Sequence, residues 1–226
     1  ANSTSTLDVD GGTIKLDGNY PVGTGSVALG DTALDSVQSA GTYNTAIGHN
    51  ALTANTTATN NTSVGAFSLG SNTTGEANTA VGLAALDANT TGSNNVGLGR
   101  DALGANTTAD ANTAVGYQAG FSNQTSPSNT FVGKDSGYTV NGSGGGYNAF
   151  FGQSSGYSCT TGYHNTALGT SALYSNTTAS NNTAVGYQSL YTNSTAGANT
   201  AVGYHALFDN TTGDSNTAQG FSAVAN

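Results

Sequence analysis

The chain has 226 residues, of which only 7% are charged, with 33 glycines, two prolines, one cysteine and neither Met nor Trp. Its formal net charge is −9, so it lacks the basic surface that phosphates require, which excludes nucleic acid as a partner. No apolar run reaches the roughly 18 residues of a membrane-spanning helix, so membrane insertion by that route is excluded too.

Residues 1–25 carry no basic and apolar leader, so any signal peptide has been removed or the chain is exported by another route. Within them "TLDVDGGTIKLDG" alternates apolar and polar residues around Gly11-Gly12, which predicts a strand or hairpin that caps the next element or serves assembly. "DVDGG", Asp8 to Gly12, has the opening of a calcium loop without its remaining ligands, and a hairpin turn is the better reading. No metal and no cofactor is expected.

From Ser26 onward the chain repeats. Aligned on the glycine of "NTAVG", twelve copies place Gly30, Gly48, Gly65, Gly82, Gly99, Gly116, Gly133, Gly152, Gly169, Gly186, Gly203 and Gly220 in register. Nine of the eleven intervals are 17 residues, and the others are 18 and 19. With the glycine as position 5, position 1 is Asn in eleven copies and position 2 is Thr in nine. Position 4 is Val, Leu, Ile or Phe until Gln219, positions 8 and 9 read Ala-Leu or a relative, and positions 12 to 14 mostly read Asn-Thr-Thr. Seventeen residues are too few for a helical hairpin, and Thr-Ala-Val is β-prone. The pattern predicts an all-β, parallel β-solenoid or β-roll of about twelve coils over residues 26–226, with an irregular coil at 134–152. One strand is expected at positions 2 to 4 and a second at positions 7 to 10, with the large residues of positions 4 and 9 turned inward.

The position-1 residues Asn44, Asn61, Asn78, Asn95, Asn112, Asn129, Asn148, Asn165, Asn182, Asn199 and Asn216 are expected to stack as a structural ladder. Each coil then buries little apolar volume, which points to lateral association, with the small residues of positions 3 and 8 letting a neighbouring chain approach.

"SVALG" at Ser26 to Gly30, followed by "NTAIG", "NTSVG" and "NTAVG", resembles the head repeats of trimeric autotransporter adhesins of the YadA-like class. The stretch "GGTIKLDGNYPVGTGSVALGDTAL" is similar to repeat-containing bacteriophage tail-fibre proteins. The resemblance implies a left-handed β-roll, trimeric, working in surface attachment. The 17-residue unit is longer than typical adhesin head repeats, and no coiled-coil stalk or anchor barrel follows.

Three features carry functional expectations. Asn55, Asn72, Asn89, Asn106, Asn123, Asn176, Asn193 and Asn210 at position 12 open Asn-x-Thr sequons, with further sequons off register at Asn2, Asn60, Asn61, Asn141 and Asn181. They read either as a row of N-glycosylation sites or as turn chemistry. Phe121, Tyr138, Tyr157, Tyr174, Tyr191 and Phe208 at position 10 form an aromatic stripe, with Tyr117, Tyr187 and Tyr204 adding a shorter set at position 6. The stripe reads as a sugar-binding surface or as a packing face for another chain. The irregular coil "KDSGYTVNGSGGGYNAFFG" reads as a binding loop or as a tolerated insertion. Nothing assembles a nucleophile, a carboxylate pair or a metal cluster, so no enzyme is expected.

Together these predict a non-catalytic extracellular fibre or adhesin module at a cell or virion surface, self-associating as a homotrimer or filament and meeting a host-surface receptor or glycan. The alternatives are a glycosylated structural subunit of an extracellular filament, and a carbohydrate- or ice-binding solenoid. Outward-facing Thr on a flat face would favour ice.

Overall fold

The computed structural model describes residues 24–142 and 146–224. The hairpin expected around Gly11-Gly12 lies outside them. Twelve three-residue strands follow in chain order: β1 Val27–Leu29, β2 Thr45–Ile47, β3 Thr62–Val64, β4 Thr79–Val81, β5 Val96–Leu98, β6 Thr113–Val115, β7 Thr130–Val132, β8 Ala149–Phe151, β9 Thr166–Leu168, β10 Thr183–Val185, β11 Thr200–Val202 and β12 Thr217–Gln219. They form one sheet in sequence order. Every pairing is parallel and in register, Thr183 beside Thr200 and Val185 beside Val202, so each repeat adds one coil to a β-solenoid. Eleven steps at a strand spacing of about 4.8 Å give a rod on the order of 50 Å long.

The facing of the strand differs from expectation. Position 3 is the buried residue, as in Ala46, Ala80, Ala114, Phe131 and Ala184, while positions 2 and 4 face outward. Val185 therefore does not point inward. The coil interior is narrow, and Leu52, Leu69, Leu86, Leu103, Leu173, Leu190 and Leu207 at position 9 already occupy its centre. Only a small side chain fits opposite them. The exceptions show the constraint in volume: where position 3 is Phe131 or Phe150, position 9 of the same coil is Gly137 or Gly156, and the coil before Phe131 has Gly120 there. A Cβ at Gly120 would lie 2.5 Å from the Phe131 ring. The small residues of positions 3 and 8 are thus core, at 0% exposure in Ala46, Ala51, Ala80 and Ala85, and offer no approach to another chain.

The second strand does not form. Positions 7 and 9 instead adopt left-handed backbone in each coil, as at Ala84 (φ 54°) and Leu86 (φ 52°), and a third left-handed residue precedes position 1, as at Ala77 (φ 55°). These reversals fold the chain back within 17 residues. Hydrogen bonding along the axis continues through them: Ala84 N donates to Ala66 O at 2.9 Å and Leu86 N to Ala102 O at 3.0 Å. Position 5 turns through φ 128–141°, and there the coils nearly touch. A Cβ on Gly116 would fall 2.7 Å from the carbonyl of Gly133, so only glycine fits.

Asparagine supplies the polar framework of the interior. The Oδ1 of each position-1 Asn accepts the backbone N–H of its counterpart in the next coil, Asn61 to Asn44, Asn78 to Asn61 and Asn95 to Asn78, each at 2.9 Å. In most coils its Nδ2 donates to the position-15 carbonyl of its own coil, Asn78 to Gly92 at 2.8 Å, whereas Asn112 and Asn129 donate to the preceding coil and the Asn199 Nδ2 has no partner among the described residues. The ladder therefore joins side chain to backbone. The side chain-to-side chain amide ladder lies at position 12: Asn72 donates to Asn55, Asn89 to Asn72 (2.7 Å) and Asn106 to Asn89 (2.6 Å). Val37, Val140 and Cys159 stand at position 12 in three coils and interrupt it.

Candidate functional site

Three surfaces follow from this coil. The first is the outward face of the sheet. Its position-4 row runs Leu29, Ile47, Val64, Val81, Leu98, Val115, Val132, Phe151, Leu168, Val185 and Val202, one aliphatic or aromatic side chain per coil until Gln219. Ile47, Val81, Phe151 and Leu168 are between 37% and 49% exposed, more than isolated surface apolar residues need. Beside them the position-2 threonines, among them Thr45, Thr79, Thr113 and Thr183, form a second outward row, half-buried by their neighbours. One parallel sheet thus presents an apolar row, repeating once per coil as far as Val202, beside a methyl-and-hydroxyl row that Val27, Val96 and Ala149 interrupt.

The second is the aromatic stripe. Phe121, Tyr138, Tyr157, Tyr174, Tyr191 and Phe208 stack with centroids 5.1–5.4 Å apart and planes within 13°. All six are half-buried. Their in-register coils superpose the rings, so each face is covered by the next ring and only the edges reach solvent. Burial raises the Tyr157 hydroxyl above its ordinary pKa. Such a ladder stabilises the rod and leaves no open ring face to receive a sugar along its length. Tyr187, Tyr204 and Phe221 repeat the arrangement at position 6, at 5.3 and 4.9 Å. Tyr117 at the same position is flanked by Arg100 and Lys134, each under 6 Å from its ring centre. Both cations also meet the following carboxylate, Asp101 or Asp135, and that hydrogen bond raises the Lys134 pKa.

The third lies at the end of the irregular coil, where its Tyr147 meets His164 of the next coil and His164 meets Tyr163 at the surface. The other aromatics of this region divide differently. Phe131 and Phe150 enter the core, Tyr138 joins the ladder and Phe151 the sheet face.

The sequons are corrected by burial. Asn55, Asn72, Asn89, Asn106, Asn123, Asn176 and Asn193 are fully buried and Asn210 is half-buried. Each Nδ2, the atom a glycan would occupy, donates to the carbonyl three residues on, from Asn55 to Ala58 through Asn210 to Gly213. A glycan there is incompatible with the folded coil. The sequence signal available was register: a position that is also Val37, Val140 or Cys159 is a core position. Exposed sequon asparagines occur off register, at Asn60, Asn141 and Asn181.

Among the described residues no three His, Cys, Asp or Glu side chains come together. His49 lies 3.6 Å from Asp31, His205 is 2.8 Å from Gln188, and His164 sits among tyrosines. No protein-family model, curated protein or solved structure matches this chain.

Proposed function

We propose that the chain is a non-catalytic fibre or adhesin module acting outside the cell, at a cell or virion surface, where the rod packs against further copies of itself as a homotrimer or filament. The observation that supports this most is the position-4 row. A continuous apolar stripe is what soluble rods cover with a partner. A stripe that repeats with every coil is matched along its whole length only by a surface of the same step, and a second copy has that step. Isologous or cyclic packing of the row gives closed oligomers, and end-to-end continuation gives filaments. Stacked coils supply reach, and the exposed turns remain available for a receptor or glycan.

The test replaces Val81 and Val115, on β4 and β6, together with Lys. Lysines on the outer face leave the coil core untouched and place charge within the contact. The double variant is expected to keep its β signal and shift to a smaller particle by light scattering. An unchanged particle mass would overturn the proposed contact. The outward threonine row favours a second reading, ice binding, because hydroxyls and methyls recur at strand spacing along one outward row. Thermal hysteresis by a monomeric protein, abolished by Thr79→Lys, is the outcome that reading requires.

A further inference from the structure

We infer that Tyr147, Tyr163 and His164, on the turns that precede β8 and β9, form a binding site for uncharged sugar rings; this rests on the attachment reading above. The three rings are splayed. Tyr147 lies 5.4 Å from His164 at 49° between planes, and Tyr163 lies 5.1 Å from it at 81°. Tyr147 is 62% exposed and Tyr163 43%. Whereas the position-10 ladder covers its ring faces, this cluster leaves tyrosine faces open to a flat apolar ligand surface.

The backbone gives an independent argument. Tyr147 and His164 have φ of 62° and 54°, in the column that precedes position 1. Elsewhere that column is filled by Asn60, Asn94 and Asn181, which tolerate left-handed backbone, or by the small Ala77, Ala111, Ser128, Ala198 and Ser215. Left-handed backbone is unfavourable for a residue with a Cβ, and a large ring so exposed recovers little through burial. Tyr43 shares the column at the same 62% exposure, but it lies over Gly25, where a Cβ would meet its ring at 2.8 Å, and Asn60 follows it in the next coil. Tyr147 instead meets a second ring, His164, in the next coil. The strained, exposed ring is accounted for by a contact beyond the coil.

The chemistry selects the ligand class. One face of a pyranose is lined with polarised C–H groups that lie on electron-rich ring faces, and its rim carries hydroxyls. Among the described residues no side-chain hydrogen bond engages the imidazole or the two phenols, so they serve those hydroxyls. The described cations, Arg100 and Lys134, are occupied at Tyr117, and the chain is acidic, which disfavours sialylated or sulfated glycans.

The experiment applies the full chain to an array of neutral, sialylated and sulfated oligosaccharides, followed by titration of the neutral members that bind. Wild type is expected to retain neutral glycans. Tyr147→Ala and Tyr163→Ala are each expected to weaken binding about tenfold. Tyr147→Phe, which keeps the ring face and loses one hydroxyl contact, weakens it less than either, and Tyr43→Ala binds as wild type. Binding confined to charged glycans, binding indifferent to both alanine variants, or no glycan binding overturns the site. So does a change of oligomeric mass in Tyr147→Ala, which would make the cluster a contact between copies. Light scattering on the same samples separates the two readings. An oligomer that binds no neutral glycan refutes this site alone, and a monomer that binds through the cluster refutes the self-association alone.

Discussion

Replacing Asn78 by Ala tests the asparagine framework at one rung. The side chain makes two buried bonds, accepting from Asn95 N at 2.9 Å and donating to Gly92 O at 2.8 Å. Gly92 O keeps a second donor, the Asn89 amide at 2.9 Å, so its loss is partial and amounts to about 0.5–1.5 kcal/mol. The Asn95 N–H has no other partner in its buried setting, and orphaning it costs about 1–3 kcal/mol. The variant should lose about 1.5–4.5 kcal/mol in total. A stacked repeat need not unfold in two states, so the sharper readout is hydrogen exchange resolved by residue. The Asn95 amide should lose protection first, with the coil on either side following, while coils beyond Gly133 change little. The matching control is Asn94→Ala on the adjacent exposed turn, expected within about 0.5 kcal/mol of wild type. If Asn78→Ala and Asn94→Ala cost the same, or if Asn95 exchange is unchanged, the framework is not what aligns the coils.

Gly116→Ala should cost about 3–5 kcal/mol, because it adds backbone strain at φ 134° to a clash with the Gly133 backbone, and thermal melting measures the drop. Phe131→Ala should cost about 3–5 kcal/mol by opening a core cavity. Adding Gly137→Leu should restore part of it, since other coils hold Leu at that position with the same left-handed backbone, and a double-mutant cycle with no coupling refutes the volume exchange. Burial raises the Cys159 thiol from 9.0 to about 11, so thiol reagents at neutral pH should react with it only after unfolding. The raised value means that the folded state holds the proton longer. This contribution to stability is complete below pH 9 and is lost as the pH rises to about 11, and a Cys159→Val variant should lack that pH dependence.

The period, the coil architecture and the parallel in-register sheet were legible in the sequence because a strict 17-residue repeat with a β-prone triplet admits few other folds. The facing of that triplet was misread. Val at position 4 is the larger apolar residue, and the rule that large apolar side chains go inside gives the wrong answer where the interior has room only for the Leu of position 9. The pairing of Phe131 and Phe150 with Gly120, Gly137 and Gly156 held the correct facing in plain view, since only residues that share a core exchange volume. The turn at positions 7 to 9 was not legible. Left-handed backbone normally announces itself as Gly or Asn, yet here it falls on Leu52, Leu86 and Leu190, whose burial outweighs the local strain. The aromatic stripe was found correctly as a column, but sequence could not show that its rings close on one another while the splayed rings lie at Tyr147 and Tyr163.

The central claim, that the outward row of β1 to β11 packs against further copies of the chain, is tested most directly by the mass of the purified protein at micromolar concentration. Multi-angle light scattering should report a particle of at least several times the 22.2-kDa chain mass. A single monodisperse species at 22.2 kDa would contradict it.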